Sequence, residues 1–151
     1  MAAAKPDDEV LEFAISREVE AYYFFLALAS RVSSAETRRV FEDLAKEELE
    51  HKAKLELEVM KAGRTVSVEL KPGRPVSEYI MSDTDAQLDM DYRDMLLLGM
   101  EKEEASFRTY VNLAANAPDE ESREVLLAIA EEEVKHKMRF ETEYEMLLKE
   151  Q

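Results

Sequence analysis

Two stretches of the chain decide its fold: residues 38–58 read RRVFEDLAKEELEHKAKLELE, and residues 123–143 read REVLLAIAEEEVKHKMRFETE. The second stretch repeats the first at a constant offset of 85 residues, with nine of the 21 positions identical and no gap. In both, apolar residues recur three or four positions apart, which is the spacing of one helix face. The repeat indicates a duplicated helical hairpin, which predicts pseudo-two-fold symmetry.

The two histidines of the chain occupy equivalent positions in this repeat. Each follows a glutamate by three residues, in Glu48–His51 (ELEH) and Glu133–His136 (EVKH). Residues three apart lie on the same side of a helix, so a carboxylate and an imidazole can reach one metal ion together. A lone histidine is usually a surface or core residue. Two histidines paired by a repeat favour the di-iron or di-manganese sites of carboxylate helix bundles.

Both motif glutamates lie on the apolar face of their predicted helix. The residues at positions −7, −4, −3 and +7 are Phe41, Leu44, Ala45 and Leu55 around Glu48, and Leu126, Ile129, Ala130 and Phe140 around Glu133. Other glutamates, such as Glu50, Glu56 and Glu58, are interpreted as surface residues in salt bridges. That interpretation does not explain two carboxylates within an apolar stripe.

The other two helices are expected to supply one glutamate each, and the best candidates are Glu18 and Glu103. They are related by the same offset of 85, and apolar residues flank both at helical spacing. Glu20 is the rival in the first helix, but Ala105 is its repeat partner. Glu47 and Glu132 are also repeat partners, and they are alternative ligands or outer neighbours of the ligands.

The charges of this residue set favour two divalent cations. Four carboxylates that converge in an apolar core repel one another and lose hydration, so some would have to stay protonated. Two divalent cations carry charge 4+, which balances the four carboxylates. The predicted metal ligands are Glu18, Glu48, His51, Glu103, Glu133 and His136. Oxygen-rich sites with one nitrogen per metal suit iron or manganese, although zinc can also occupy them.

The chain is predicted to be all-α, with four helices over about residues 7–32, 35–62, 86–115 and 119–148. Ser34 can cap the second helix, Gly63 is well placed to end it, and Asp119 follows a turn into the fourth. Residues 63–85 contain most of the helix breakers and form one long connection, in which Thr65 to Leu70 can be extended. Hairpins 7–62 and 86–148 joined by a long crossover predict a single ferritin-like four-helix bundle over residues 1–151.

Composition narrows the possible functions. The formal net charge is −15, which argues against nucleic acid and anionic membranes as partners. The chain has no cysteine, so thiolate catalysis, cysteine zinc sites and iron–sulfur clusters within it are excluded. No apolar run is long enough to span a bilayer, and a cytoplasmic location is expected. The eight methionines are interpreted as residues that fill gaps in the core.

On these residues the sequence resembles the rubrerythrin branch of the ferritin-like superfamily. An aromatic residue follows Glu18 and Glu103 by seven positions, and these are Phe25 and Tyr110. The resemblance implies that Tyr110 packs beside the metal carboxylates, whereas Phe25 lacks the hydroxyl. Two departures stand out: the four-cysteine rubredoxin domain of rubrerythrins is missing, and Ser106 replaces their extra glutamate.

The resemblance implies a di-iron protein that carries out redox chemistry on hydrogen peroxide or dioxygen, in oxidative stress defence. With no cysteine in the chain, the expected electron donor is another molecule, such as a rubredoxin-like protein. Ser106 puts efficient peroxidase activity in doubt, so iron uptake or ferroxidase activity without sustained catalysis is an alternative. A metal-stabilised interaction module and a hydroxylase or desaturase are further alternatives. The resemblance also implies a homodimer.

Overall fold

Four helices account for the regular structure of the chain. The computed structural model describes residues 6–66 and 91–150, and within these ranges it contains no β-strand. The helices are α1 (Pro6–Arg31), α2 (Ala35–Lys61), α3 (Tyr92–Ala115) and α4 (Glu120–Lys149). The predicted all-α class is confirmed, and three of the four predicted helices agree with the observed bounds to within one residue at either end.

The helix ends follow from local sequence. The Ser34 hydroxyl accepts a hydrogen bond from the backbone N–H of Thr37, and the Asp119 carboxylate accepts one from that of Ser122. Gly63 adopts a φ of +79°, the left-handed conformation that glycine adopts without a steric penalty. Its N–H donates to the carbonyl of Met60, while that of Arg64 donates to the carbonyl of Val59, which forms a Schellman motif.

The third helix begins later than predicted. Asp91 has an extended backbone and caps α3, in a capping box with Asp94. The helix therefore starts at Tyr92 rather than Ala86, because the Asp91 side chain satisfies the first free N–H groups at this point. Residues 86–90 lie outside the described residues. So do most of the predicted crossover and of the extended segment from Thr65 to Leu70.

The helices pack as two hairpins. Helix α1 packs extensively against α2 and α3 against α4, whereas the contacts of α2 with α4 and of α1 with α3 are far fewer. Phe41, near the start of α2, packs against Tyr92, at the start of α3, with ring centroids 6.4 Å apart. These two helices therefore begin at the same end of the bundle. The connection between them joins opposite ends, as the predicted single crossover requires.

Two apolar clusters fill the core, one toward each end of the bundle. The first contains the aromatic residues Phe24, Phe25, Phe41 and Phe140, and the second is mainly aliphatic, with Ile15, Leu55, Leu126 and Ile129 among its members. Every helix passes from one cluster to the other. Four of the buried glutamates and both histidines lie between them along the helices, so they form a polar layer across the middle of the core.

Two interpretations of surface and core are wrong in part. Of the five methionines in the described residues, Met95 is buried and Met100 packs against the first cluster, while Met60, Met138 and Met146 are more than half exposed. Met138 follows the inward-facing His136 by two residues, which turns its side chain to the outer face of α4. Glu58, expected at the surface, is buried and pairs with Lys61 at 3.2 Å. Among the described residues, no helix is long and apolar enough to cross a bilayer.

Candidate metal centre

The polar layer brings together all six residues that the sequence predicts as ligands. Each of them is at least 95% buried: Glu18, Glu48, His51, Glu103, Glu133 and His136. Helices α1 and α3 contribute one glutamate each, and α2 and α4 contribute one Glu-x-x-His motif each. The arrangement follows from helical geometry, because the glutamate and histidine of each motif point to the same side.

The distances divide the glutamates into two kinds. The Oε1 atom of Glu48 lies 3.9 Å from Nδ1 of His51 and 3.7 Å from Nδ1 of His136. The Oε1 atom of Glu133 is likewise 3.6 and 3.8 Å from the same two nitrogens. Both carboxylates thus lie between the histidines, where each could contact a cation held beside either ring.

The other two glutamates each face one histidine. Glu18 Oε2 lies 3.6 Å from Nδ1 of His51, and Glu103 Oε2 lies 3.5 Å from Nδ1 of His136. Their positions are those of terminal ligands, one at each end of the centre. Two potential cation positions result, one beside Glu18 and His51 and the other beside Glu103 and His136.

The inward-facing atoms of this layer have no hydrogen-bond partner in the described part of the chain. They are Glu18 Oε2, Glu48 Oε1, His51 Nδ1, Glu103 Oε2, Glu133 Oε1 and His136 Nδ1. Buried polar atoms are almost always paired, and each orphan costs about 1–3 kcal/mol. Six such atoms directed at one another are what a pair of cations would satisfy. The residues therefore fit a di-metal centre.

Without cations, three of the buried carboxyl groups have a raised pKa. Burial raises the pKa of Glu48 well above its ordinary value, and the nearby Glu18 and Glu133 add to the effect. Burial likewise raises the pKa of Glu133, with a contribution from Glu103, and it raises the pKa of Glu103 itself to about 8. The cause is the one that the sequence predicts, namely carboxylates in an apolar core that repel one another.

The two histidines differ in their surroundings. Burial lowers the pKa of His51, but the carboxylates of Glu18 and Glu133 beside it outweigh that effect, so its net pKa is raised. His136 has a further neighbour on its outer side, because Glu47 Oε2 lies 2.8 Å from Nε2. The two imidazole rings lie 6.2 Å apart and nearly parallel.

Tyr110 lies against the centre, as the resemblance implies. Its hydroxyl group contacts the carboxylate of Glu18 and lies 3.2 Å from the carbonyl oxygen of Ala14. Burial raises the pKa of Tyr110, and the neighbouring Glu18 raises it further. Phe25, its repeat partner, instead packs against Phe140 with ring centroids 6.1 Å apart. The pseudo-symmetry of the centre therefore breaks at this pair.

The alternative ligands lie outside the cluster. Glu47 is set back behind His136, and Glu132 pairs with Lys135 at 3.6 Å on the surface. Ser106, in place of the extra glutamate, is buried. Its repeat partner is Ala21, so two small side chains occupy these equivalent positions.

A family model described as Rubrerythrin matches residues 9–144 of the chain. The chain belongs to the rubrerythrin family. The predicted resemblance is thereby confirmed over almost the whole sequence. No curated protein is similar enough in sequence to match the chain.

Several solved structures have the same fold as this rubrerythrin-family chain. A hypothetical protein from Pyrococcus furiosus, Pfu-1136390-001, is 24% identical with a TM-score of 0.66, and the match covers 94% of this chain and 90% of that one. KatB, a manganese catalase from Anabaena PCC7120, is 14% identical with a TM-score of 0.69, over 97% and 75% of the two chains. A second structure, of wild-type KatB, is 15% identical with a TM-score of 0.70, over the same shares of the two chains. The family match and the buried carboxylate and histidine cluster together support a di-metal carboxylate protein.

The sequence predicts Glu47 and Glu132 as alternative ligands or outer neighbours of the ligands, and in the structure Glu47 is such a neighbour, of His136, whereas Glu132 pairs with Lys135. The repeat made Glu47 and Glu132 equal candidates, and it contained no signal that distinguishes them. The difference arises from packing, since only Glu47 reaches a histidine of the opposite hairpin.

Proposed function

We propose that this rubrerythrin-family chain binds two iron ions and reduces hydrogen peroxide or dioxygen with electrons from an external donor. The observation that carries the proposal is the set of six buried, unpaired ligand atoms directed at one another. Bound as Fe(II), such a pair would supply two electrons, which with two protons would convert peroxide to two waters as its O–O bond breaks. The residues of the chain hold the ions, exclude water and fix the geometry.

Each residue has a defined part in this proposal. Glu48 and Glu133 hold the two cations together, because each lies within 3.9 Å of both histidines. Glu18 and Glu103 would each contact one of the two cations, because each lies beside one histidine. Tyr110 holds the Glu18 carboxylate in place through its hydroxyl group. The apolar clusters on both sides of the layer keep bulk water away from it.

Manganese is the second candidate metal. The same oxygen-rich donor set suits it, and the structural relative KatB is a manganese catalase. Ser106 supports a second candidate function, in which iron is bound or oxidised without sustained turnover. An external donor such as a rubredoxin-like protein, a cytoplasmic location and a homodimeric state are parts of the same proposal. Light scattering tests the last of these, and a shell of many subunits would favour iron storage instead.

Anaerobic loading of the metal-free protein with Fe(II) tests the centre. We expect close to two irons per chain, and clearly fewer in Glu48→Ala and Glu133→Ala. Glu50→Ala is the matched control, because Glu50 is an exposed neighbour on the same helix. Iron binding that is absent, or equal in all four proteins, would show that the ligand assignment is wrong.

Peroxide kinetics then separate the candidate functions. Steady consumption of peroxide with a chemical or protein electron donor supports the redox enzyme. A single round of Fe(II) oxidation without turnover supports the ferroxidase alternative. Peroxide decay with evolution of dioxygen and no donor, in manganese-loaded protein, supports a catalase.

A further inference from the structure

The two ends of the centre have different outer neighbours. At the His136 end, the Nδ1 atom faces the cluster, and Nε2 on the opposite side of the ring lies 2.8 Å from Glu47 Oε2. This distance is within ion-pair range, although the carboxylate lies off the direction of a ring N–H hydrogen bond. His136 is 95% buried, and the contacting atom of Glu47 is buried too.

In the described part of the chain, no such carboxylate lies on the outer side of His51. The repeat partner of Glu47 is Glu132, whose Oε1 atom lies 3.6 Å from Nζ of Lys135 on the same helix. The carboxylates within ion-pair distance of His51 are Glu18, Glu48 and Glu133, all of which belong to the cluster itself. Here the outer neighbour is Tyr110, whose hydroxyl group contacts Glu18.

These neighbours act on the ligands in different ways. A carboxylate beside the outer nitrogen of a metal-ligating histidine favours a proton there and makes the inner nitrogen a stronger electron donor. A hydroxyl group that contacts a ligating carboxylate holds it in place but adds no negative charge of its own. The end of the centre with Glu47 should thus hold a cation more strongly than the end with Tyr110.

We propose that Glu47 is a positioning residue for His136, and that it makes the cation position at Glu103 and His136 the tighter of two unequal positions. Divalent cations then fill that position first. The inference rests on the proposed function only in requiring that the centre binds two cations. It does not depend on which reaction follows.

Titration of the metal-free protein with Mn²⁺ alone tests the inference, with free Mn²⁺ counted by electron paramagnetic resonance. We expect two unequal binding steps in the native protein. In Glu47→Gln the tighter step should weaken by roughly 10- to 100-fold, the usual effect of losing an outer partner of a metal-ligating histidine. Glu132→Gln is the matched control, because its position is equivalent by the repeat, and it should leave both steps unchanged.

Nitrogen NMR of the histidine rings provides a readout that a general loss of stability would not change. The chain has only two histidines, so their ring signals can be assigned. In the metal-free protein we expect Glu47→Gln to shift the His136 nitrogens and leave those of His51 in place. Thermal unfolding of both variants checks that the fold is retained.

The outcomes separate the inference from the proposed function. Two native binding steps that Glu47→Gln leaves unchanged, or weakens by equal factors, would overturn the inference alone. Native protein that binds no Mn²⁺ and no Fe(II) would overturn both. A weakened tighter step, unchanged His51 signals and an unaffected Glu132→Gln variant would establish the role of Glu47.

Discussion

Among single residues, Tyr110 is the side chain that most clearly separates the two halves of the centre. Its hydroxyl group contacts Glu18, and its repeat partner Phe25 has none. We expect Tyr110→Phe to keep the fold, at a cost of about 1 kcal/mol for the lost buried hydrogen bond. It should also weaken cation binding roughly tenfold at the Glu18 end, because that carboxylate is no longer held.

Metal titration and chemical denaturation measure these two effects separately. Tyr92→Phe is a suitable control, since Tyr92 is only half-buried and lies at the start of α3, in the first apolar cluster. If the two variants bind metal equally well, the hydroxyl of Tyr110 has no role in holding Glu18.

Glu48 is a residue at which function and stability should oppose each other. Its buried carboxyl group has a raised pKa, so its ionisation destabilises the folded metal-free protein. We expect Glu48→Gln to stabilise the metal-free protein by roughly 1–3 kcal/mol at neutral pH, because the amide carries no charge. The same variant should bind fewer cations. Urea unfolding with and without metal, beside Glu50→Gln, measures both effects.

The candidate ligands could be predicted at the residue scale because two independent patterns coincide there. The offset of 85 relates all six side chains in pairs, and the Glu-x-x-His spacing independently selects four of them. The structure brings all six together. Both Glu47 and Glu132 could be predicted as outer neighbours of the ligands, but not which of them lies beside a histidine, because the repeat makes them equal. Packing between hairpins breaks that equality, and a one-dimensional pattern does not contain it.

Among the helices, α3 shows how small residues set the distance between neighbours. A Cβ atom at Gly99 would lie 3.0 Å from Cε2 of Phe140, which is fully buried on α4. The equivalent positions in the first hairpin carry Ala14 and Leu55. A larger residue on one helix thus accompanies a smaller one on the other, in both halves of the repeat.

We therefore expect Gly99→Ala to destabilise the protein by roughly 1 kcal/mol, because overpacking outweighs the better helix propensity of alanine. In a Phe140→Leu background the same change should cost less, since it recreates the pair of the first hairpin. A double-mutant cycle measured by denaturant unfolding gives the coupling. A coupling energy of zero would mean that the two positions do not compete for space.

Helix bounds could be predicted where a capping residue stands beside a break in the apolar pattern. Ser34, Gly63 and Asp119 meet that condition, and all three act at the ends where they were expected. Asp91 does not, because acidic and polar residues precede it without a clear break. Its capping role depends on the backbone turning extended at that point, which the composition does not reveal.

For the whole molecule, the raised carboxyl pKa values predict an unusual dependence of stability on pH. The pKa of Glu103 rises from an ordinary value of 4.5 to about 8, so the folded metal-free protein binds a proton that the unfolded chain releases. The contribution of Glu103 to the free energy of unfolding is fully present below about pH 4.5 and is lost as the pH rises toward 8. Glu48, Glu133 and His51 act in the same direction.

We thus expect metal-free protein to unfold at lower urea concentration at about pH 8 than at about pH 5.5. Its free energy of unfolding should fall by up to about 1.4 kcal/mol per pH unit for each such group. Metal-loaded protein should show the opposite trend, because cations displace these protons and bind better as the pH rises. Urea titrations across this range check both statements. Identical pH profiles with and without metal would contradict the argument.

The extensive packing of the bundle lies within each hairpin, whereas the contacts between hairpins are few. Yet each histidine of the centre lies beside a carboxylate of the opposite hairpin, His51 beside Glu133 and His136 beside Glu48. A bound pair of cations would therefore link the two hairpins to each other. Stability would follow metal supply by mass action, by about 2.7 kcal/mol for a cation at 100 times its Kd. When metal is scarce, the two hairpins of the metal-free protein would then separate more easily and become accessible to proteases. The abundance of the protein would in this way follow the supply of its metal.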